Sequence, residues 1–194
     1  MTPLQVAQGA WLAWLVSWFA AAAWSDRTVK RPAVRRELLY RALTIVGTML
    51  LWDWYPGAGQ RGVILLWRPG SALAWSETAL VLAGLAFTWW ASVHLGRLWS
   101  STVTRKENHQ VIDSGPYGLV RHPIYTGVLL AILATAALRG TASAVAGTGV
   151  LIAAVYIKAR VEEQFLREQL GAQAYDAYSR RVPMLVPFAR RRHT

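Results

Sequence analysis

The sequence predicts an all-α polytopic membrane protein with five transmembrane helices, the last two a hairpin, and a cytoplasmic helical segment at the C-terminus. Three observations predict it: five long apolar segments, a low charged fraction, and positive charge gathered in alternate connections. Of 194 residues, 54 % are apolar and 16 % charged, below the roughly 25 % charged of an ordinary soluble domain. There are 11 Trp, no Cys and a formal net charge of +11. The missing cysteines exclude a disulfide framework, a thiolate nucleophile and any cysteine metal site. The chain reads as one membrane domain over 1–194, with three helices in 1–95 and a long loop, the hairpin and the C-terminal segment in 96–194.

The first segment, Leu4 to Trp24, carries no charge and at about 1.5 Å per residue reaches about 30 Å, a bilayer's hydrocarbon thickness. No Lys or Arg precedes it, so it lacks the charged start of a signal peptide and reads as a retained helix. The second, Leu38 to Tyr55, has Arg41 and Asp53 near its ends, where charged groups reach the interface. The third, Leu73 to Leu95, holds Glu77 about one turn in. Ile124–Leu138 and Thr141–Ile157, separated by Arg139-Gly140, are short and rich in Ala and Gly. They fit a tight hairpin in which close backbone approach replaces bulk. Trp24, Trp52, Trp54, Trp67, Trp75 and Trp99 lie near segment ends, as amphipathic rings do at the headgroup layer, while Trp11, Trp14 and Trp18 share one helical face.

Loop 25–37 holds five Lys and Arg, loop 96–123 four and the tail from Lys158 eight, whereas the opposite connections hold three. The positive-inside bias then sets the N-terminus outside and the C-terminus in the cytoplasm. The surplus charge reads as a topology signal and a contact with anionic lipids, with no nucleic-acid partner. The Ala-, Arg- and Trp-rich composition points to a bacterial inner (plasma) membrane. Nothing in the sequence sets an oligomeric state.

Unusual sequence concentrates after the third segment. Loop 96–123 is long for a connection, which suggests a working loop. It ends in Gly115-Pro116-Tyr117-Gly118, a turn, then Arg121-His122-Pro123-Ile124-Tyr125-Thr126-Gly127. Pro123 suits the first turn of the fourth helix, whose positive end favours an anionic group beside Arg121. After the fifth segment, Arg160-Val161-Glu162-Glu163 continues the helix to a cap at Gly171. Glu163 and Arg167, four apart, read as helix support; the adjacent acids read as a seat for an ammonium group. Tyr175 and Tyr178 then pack over the hairpin, and Arg190-Arg191-Arg192 is a polybasic anchor. No dinucleotide fingerprint, phosphate loop or HExxH is present. His94, His109, His122 and His193 lack partners at metal spacing, so no metal is expected.

The block from His109 through Gly115-Pro116-Tyr117 into Arg121-His122-Pro123-Ile124-Tyr125-Thr126-Gly127 resembles the isoprenylcysteine carboxyl methyltransferase family and the related phospholipid N-methyltransferases. A second block, Arg160-Val161-Glu162-Glu163, Phe165-Leu166, Leu170-Gly171, Tyr175, Tyr178 and Val182-Pro183 to Pro187, resembles it too, for a span of roughly 108–188. Leu170 stands where the family often has Phe. The resemblance implies a five-helix membrane core that binds S-adenosyl-L-methionine between the Arg-His-Pro loop, the last two helices and the segment after them. It implies a cofactor site drawn from His109, Tyr117, Val120, Arg121, His122, Tyr125, Glu162 and Glu163, and a lipophilic methyl acceptor entering from the bilayer.

The residues suit that chemistry. The acids meet the cofactor's ammonium, and Arg121 or the fourth helix's N-terminus meets its carboxylate. Tyr117 and Tyr125 offer aromatic faces. A carboxylate acceptor is already ionised at neutral pH, leaving Arg180 or Arg181 to position it. An amine or hydroxyl acceptor needs a base, for which His122 or one Glu is the candidate. Carboxyl O-methylation of an isoprenylcysteine-like or other lipophilic carboxylate is the expected reaction. The alternatives are phospholipid or amine N-methylation, an NADPH-dependent reductase of related fold, and a non-enzymatic adaptor or small transporter.

Overall fold

The computed structural model describes residues 1–22, 34–56, 58, 62–96 and 113–189. Among them are α1 (Pro3–Ala22), α2 (Val34–Leu51), α3 (Ser71–Leu95), α4 (Pro116–Leu119), α5 (Pro123–Arg139), α6 (Ala142–Leu170) and α7 (Ala172–Arg181). No strand is present among the described residues, apart from one isolated bridge between Leu65 and Thr141. The all-α expectation agrees with this.

The count of five spans does not. Two described helices are long and apolar enough to cross a membrane, Ser71–Leu95 and Ala142–Gln169, and Pro123–Arg139 is a shorter apolar helix. The reasons lie in composition and length. The first two turns of α2 carry Arg35, Arg36, Glu37 and Arg41. The apolar run of α1 is diluted by Gln5, Gln8 and three Trp, and α5 has only 17 residues.

Three close pairings build the bundle. α3 packs most extensively on α5, α2 on α6, and α1 on α3. A Cβ on Gly127 would stand 2.5 Å from the Gly84 carbonyl oxygen, and one on Gly147 2.7 Å from the Gly47 carbonyl oxygen. Close backbone approach therefore occurs, but between each hairpin leg and an earlier helix rather than between the legs. Dispersion contacts and small residues, not bulk, hold such crossings. Trp11 and Trp14 face inward: their indole N–H groups donate to the Thr135 and Thr88 hydroxyls at 3.0 and 2.6 Å. Trp14 also stacks on Trp18, which meets Trp89 edge to face.

Antiparallel packing of α3 on α5 and of α2 on α6 brings the C-terminal end of α3 and the N-terminal ends of α2 and α5 together. The C-terminal half of α6 reaches the same end, where α7 and an extended tail fold back beneath it.

Candidate functional site

The loop before α5 is held by the C-terminal tail. The Arg121 amide donates to the Pro183 carbonyl at 2.8 Å, the His122 amide to Met184 at 3.1 Å, and the Thr126 hydroxyl to Leu185 at 2.7 Å. Upstream, Gly115 has φ +56° and lies against the His94 ring, which a Cβ there would meet at 2.7 Å. His94 Nε2 and Ser114 Oγ are 3.0 Å apart. The Tyr178 hydroxyl donates to the Tyr117 carbonyl at 2.8 Å. Two turns and the tail thus fix the orientation of the Arg121-His122 pair.

That pair meets the two acids of α6. Arg121 Nε donates to Glu163 Oε1 at 2.7 Å, and Nη2 lies 2.6 Å from the same oxygen. Arg121 Nη1 donates to the Ser179 and Val182 carbonyls at 2.9 and 2.6 Å. The Tyr125 hydroxyl donates to Glu162 Oε2 at 2.6 Å. The buried His122 ring stacks on Tyr125 at 5.3 Å. Its Nδ1 lies 3.8 Å from Glu162 and its Nε2 3.4 Å from Glu163, and Nε2 makes no hydrogen bond.

Beside this cluster a cavity of about 670 Å³ is bordered by Arg36, Arg121, Tyr156, Arg160, Glu163 and Tyr175, among others. That volume is within the roughly 300–1,000 Å³ of small-molecule sites. Two of its charges are engaged with each other: Arg167 donates to both Asp176 oxygens at 2.9 and 2.8 Å. Those hydrogen bonds hold the Asp176 carboxyl below the usual carboxylate range. Arg167 thus pairs across to α7 instead of with Glu163. Beneath, burial pushes the Tyr117, Tyr175 and Tyr178 phenols well above the ordinary tyrosine value, so they act as neutral donors and apolar walls.

The expected residues Arg121, His122, Tyr125, Glu162 and Glu163 come together here. Val120 and Tyr117 are buried just behind them. Arg180 and Arg181 stand on the exposed side of α7, away from the acids, with Arg181 donating to Asp113 at 3.0 Å. His109 lies outside the described residues, as does Arg190-Arg191-Arg192. Sequence reasoning missed four neighbours, Lys158, Tyr40, Arg36 and Arg160. Lys158 Nζ lies over the Tyr125 and Tyr40 rings at 5.2 and 5.8 Å, and Arg36 and Arg160 border the cavity. A signal existed for Lys158, one turn before Glu162. None existed for Tyr40 and Arg36, which reach the site only because α2 packs on α6.

Residues 77–168 match the model of the isoprenylcysteine carboxyl methyltransferase (ICMT) family. The region is similar to the ICMT family over that span. The match starts within α3, so that helix is more than the generic span the sequence blocks at 108–188 suggested. The chain is 34 % identical over 113 residues to protein-S-isoprenylcysteine O-methyltransferase B of Arabidopsis thaliana, covering 58 % of this chain and 52 % of that protein. It is 32 % identical over 115 residues to the cobalt-zinc-cadmium resistance protein CzcN of Cupriavidus metallidurans, covering 58 % and 51 %. Methanethiol S-methyltransferase 2 of Bradyrhizobium diazoefficiens is 45 % identical over 80 residues, covering 39 % and 29 %. The chain therefore spans about half the length, or less, of these curated relatives. The ICMT region holds the whole Arg-His-Pro loop and both acids, while Tyr175, Tyr178, Arg180 and Arg181 lie beyond it. The family match and the two long apolar helices support membrane association.

Proposed function

We propose that the chain is an S-adenosyl-L-methionine-dependent methyltransferase acting on a lipophilic acceptor at the membrane. The observation that carries the reading is the meeting, inside an ICMT-family region, of the Arg121-His122 loop with Glu162 and Glu163 beside a cavity of about 670 Å³. When bound, the cofactor supplies an electrophilic methyl group on a sulfonium. The donor set suits it. Glu162 and Glu163 answer its ammonium, Arg36 and Arg160 at the cavity rim its carboxylate, and Tyr125 and Tyr175 its apolar ring and cationic centre. The His122 Nε2, buried without a hydrogen bond, is a polar atom in want of a partner.

Displacement at a methyl group needs alignment in a dry site more than acid–base help. Glu163, locked by Arg121, and Glu162, held by Tyr125, supply that alignment. A carboxylate acceptor arrives ionised and asks only for positioning. This supports carboxyl O-methylation, of an isoprenylcysteine-like or other lipophilic acid, as the first reading. The resemblance to a methanethiol S-methyltransferase favours a second, sulfur methylation. A thiol is largely protonated at neutral pH, so His122 then takes the proton through Nε2. The charge asymmetry of the connections supports a site on the cytoplasmic face, where the basic tail would meet anionic lipids.

Calorimetric titration of the purified protein with S-adenosyl-L-methionine and with NADPH tests the reading. Binding of the first alone is expected; binding of NADPH alone overturns it. With labelled cofactor and a lipid extract, methyl esters release labelled methanol in alkali, whereas thioether and N-methyl products do not.

A further inference from the structure

Residues 63–67, Val-Ile-Leu-Leu-Trp, lie at the end of the bundle opposite the site, on extended backbone between α2 and α3. All five are at least 39 % exposed and Ile64 is 70 % exposed. A run of three or four exposed apolar residues is unfavourable in water unless something covers it, and an exposed extended one invites aggregation.

This run is firmly fixed. The Leu66 and Trp67 amides donate to the Gly140 carbonyl at 2.7 and 3.2 Å, and the Ala142 amide donates to Ile64 at 2.9 Å. The Trp67 indole N–H donates to the Ala137 carbonyl at 2.8 Å. Gly140, the turn of the α5–α6 hairpin, has φ +64°, and a Cβ there would overlap the Trp67 carbonyl. The segment is a strap across the hairpin turn, with its apolar side chains facing outward.

Three further observations identify the medium around it. Beyond exposed Arg68, apolar exposure resumes at Leu73 and Trp75 on α3, a helix long and apolar enough to cross a membrane. Trp54, Trp67 and Trp75, on this stretch or flanking it in sequence, are exposed, as indoles are at a lipid–water boundary. The Arg139–Asp53 ion pair beneath is closed within the protein, with Ser143 donating to the same carboxylate and Trp52 under the guanidinium, although Arg139 Nε is buried without a hydrogen bond. Its side chains are 13 % and 9 % exposed, the arrangement an apolar surround requires. Length agrees: the 17 residues of α5 rise only about 25 Å, short of roughly 30 Å of hydrocarbon. With the site at one surface, the hairpin turn stops inside the opposite boundary.

We propose that residues 63–67 are a lipid-embedded strap that caps the short α5–α6 hairpin inside the far boundary of the bilayer. Backbone groups in lipid must be satisfied internally, and the bonds to Gly140 and Ala142 do this for the Leu66 and Trp67 amides and the Ile64 carbonyl. The occupant of the exposed face is acyl chain and glycerol backbone, not a protein.

The chain's lack of cysteine makes the test direct. Ile64→Cys and Leu66→Cys, each carrying a nitroxide, are reconstituted in phosphatidylcholine–phosphatidylglycerol vesicles, with Ser71→Cys as a reference. Dissolved oxygen is expected to relax both strap labels several-fold more than a water-soluble nickel chelate does. Nickel access equal to that of oxygen overturns the proposal by placing the strap in water. Spectral broadening that disappears on dilution with unlabelled protein overturns it by placing a second copy there. Ile64→Asp adds a second reading, a lower melting midpoint in vesicles than the Ile64→Ser variant. Neither measurement depends on methyl transfer, so failure here and failure of the enzymatic reading are distinct results.

Discussion

Replacing Glu163 with Gln separates its two roles. In the folded protein Glu163 Oε1 takes two contacts from Arg121, at 2.7 and 2.6 Å, and the two side chains are only 10 % and 11 % exposed. Removing one partner of so buried a pair costs about 3–5 kcal/mol because the other charge is stranded. Gln is milder, since its carbonyl still accepts from Arg121 Nε. The loss is then the difference between a charged and a neutral hydrogen bond, roughly 1–2 kcal/mol. The guanidinium also keeps the Ser179 and Val182 carbonyls. Folding therefore survives in Glu163→Gln, with a modest drop in melting midpoint. Cofactor affinity should suffer more, because half of the acidic pair facing an ammonium is gone. A loss of about 2 kcal/mol is roughly thirtyfold in Kd. Calorimetric titration with S-adenosyl-L-methionine in nanodiscs, beside a thermal melt of the same sample, measures both. An unchanged Kd in a folded Glu163→Gln variant would remove this residue from the cofactor site. Arg121→Gln alone, and combined with Glu163→Gln, completes a double-mutant cycle whose coupling should exceed about 1 kcal/mol for so direct a contact.

Tyr125→Phe deletes the hydrogen bond to Glu162 but keeps the ring on His122; we expect cofactor affinity to fall about tenfold, from the roughly 1.5 kcal/mol of a charged hydrogen bond, with little change in melting midpoint. Gly127→Val forces α5 away from α3, since even a Cβ would stand 2.5 Å from the Gly84 carbonyl; overpacking of this kind costs about 1–3 kcal/mol or more, read as a lower midpoint, and a wild-type midpoint would refute the crossing. The buried phenols of Tyr117, Tyr175 and Tyr178 have folded values above the ordinary one, while the unfolded chain ionises near pH 10. The folded state then holds more protons, so their contribution is intact below about pH 10 and stability falls above it, by up to about 1.4 kcal/mol per pH unit for each phenol. Denaturation at pH 9 and pH 11 checks this, and native absorbance titration showing all seven tyrosines ionising near pH 10 would contradict it.

What was legible in the sequence follows the range of each interaction. The continuous helix from Ala142 to Leu170, its end at Gly171 with φ +92°, and the Pro123 start of α5 are local features; propensity and capping announce them. The meeting of Arg121-His122 with Glu162-Glu163 was legible at one remove, because a hairpin returns its chain to the level where it began. The partners of the small residues were not. Gly127 and Gly147 announce close approach but not against what, and both choose earlier helices. The number of spans was misjudged for a related reason. A run such as Leu38–Tyr55 looks apolar when its charged approach is counted as loop, yet Arg36 and Glu37 are part of the same helix. Arg180 and Arg181, expected to position an acceptor carboxylate, stand on the outer side of α7 because helical phase points Tyr175 and Tyr178 inward.

Arg121 itself has a different part from the one its charge first suggests. A guanidinium offers five N–H donors, and four are engaged in contacts with Glu163, Ser179 and Val182. The acceptors come from α6, from α7 and from the residue just after it. One buried cation therefore ties its own loop to α6 and to the end of α7 and sets the direction of the Glu163 carboxylate. Little donor capacity is left for a ligand carboxylate, and turning the group outward would strand Glu163 and two carbonyls at once. Arg36 and Arg160 face the same cavity from its rim, and Arg160 is 63 % exposed and only 3.6 Å from Glu163. They can approach an anion at the cost only of the Arg36 hydrogen bond to Gln164 and the Arg160 ion pair with Glu163. The division of labour is physical: the buried arginine fixes the acid, and the peripheral ones meet the charge that arrives.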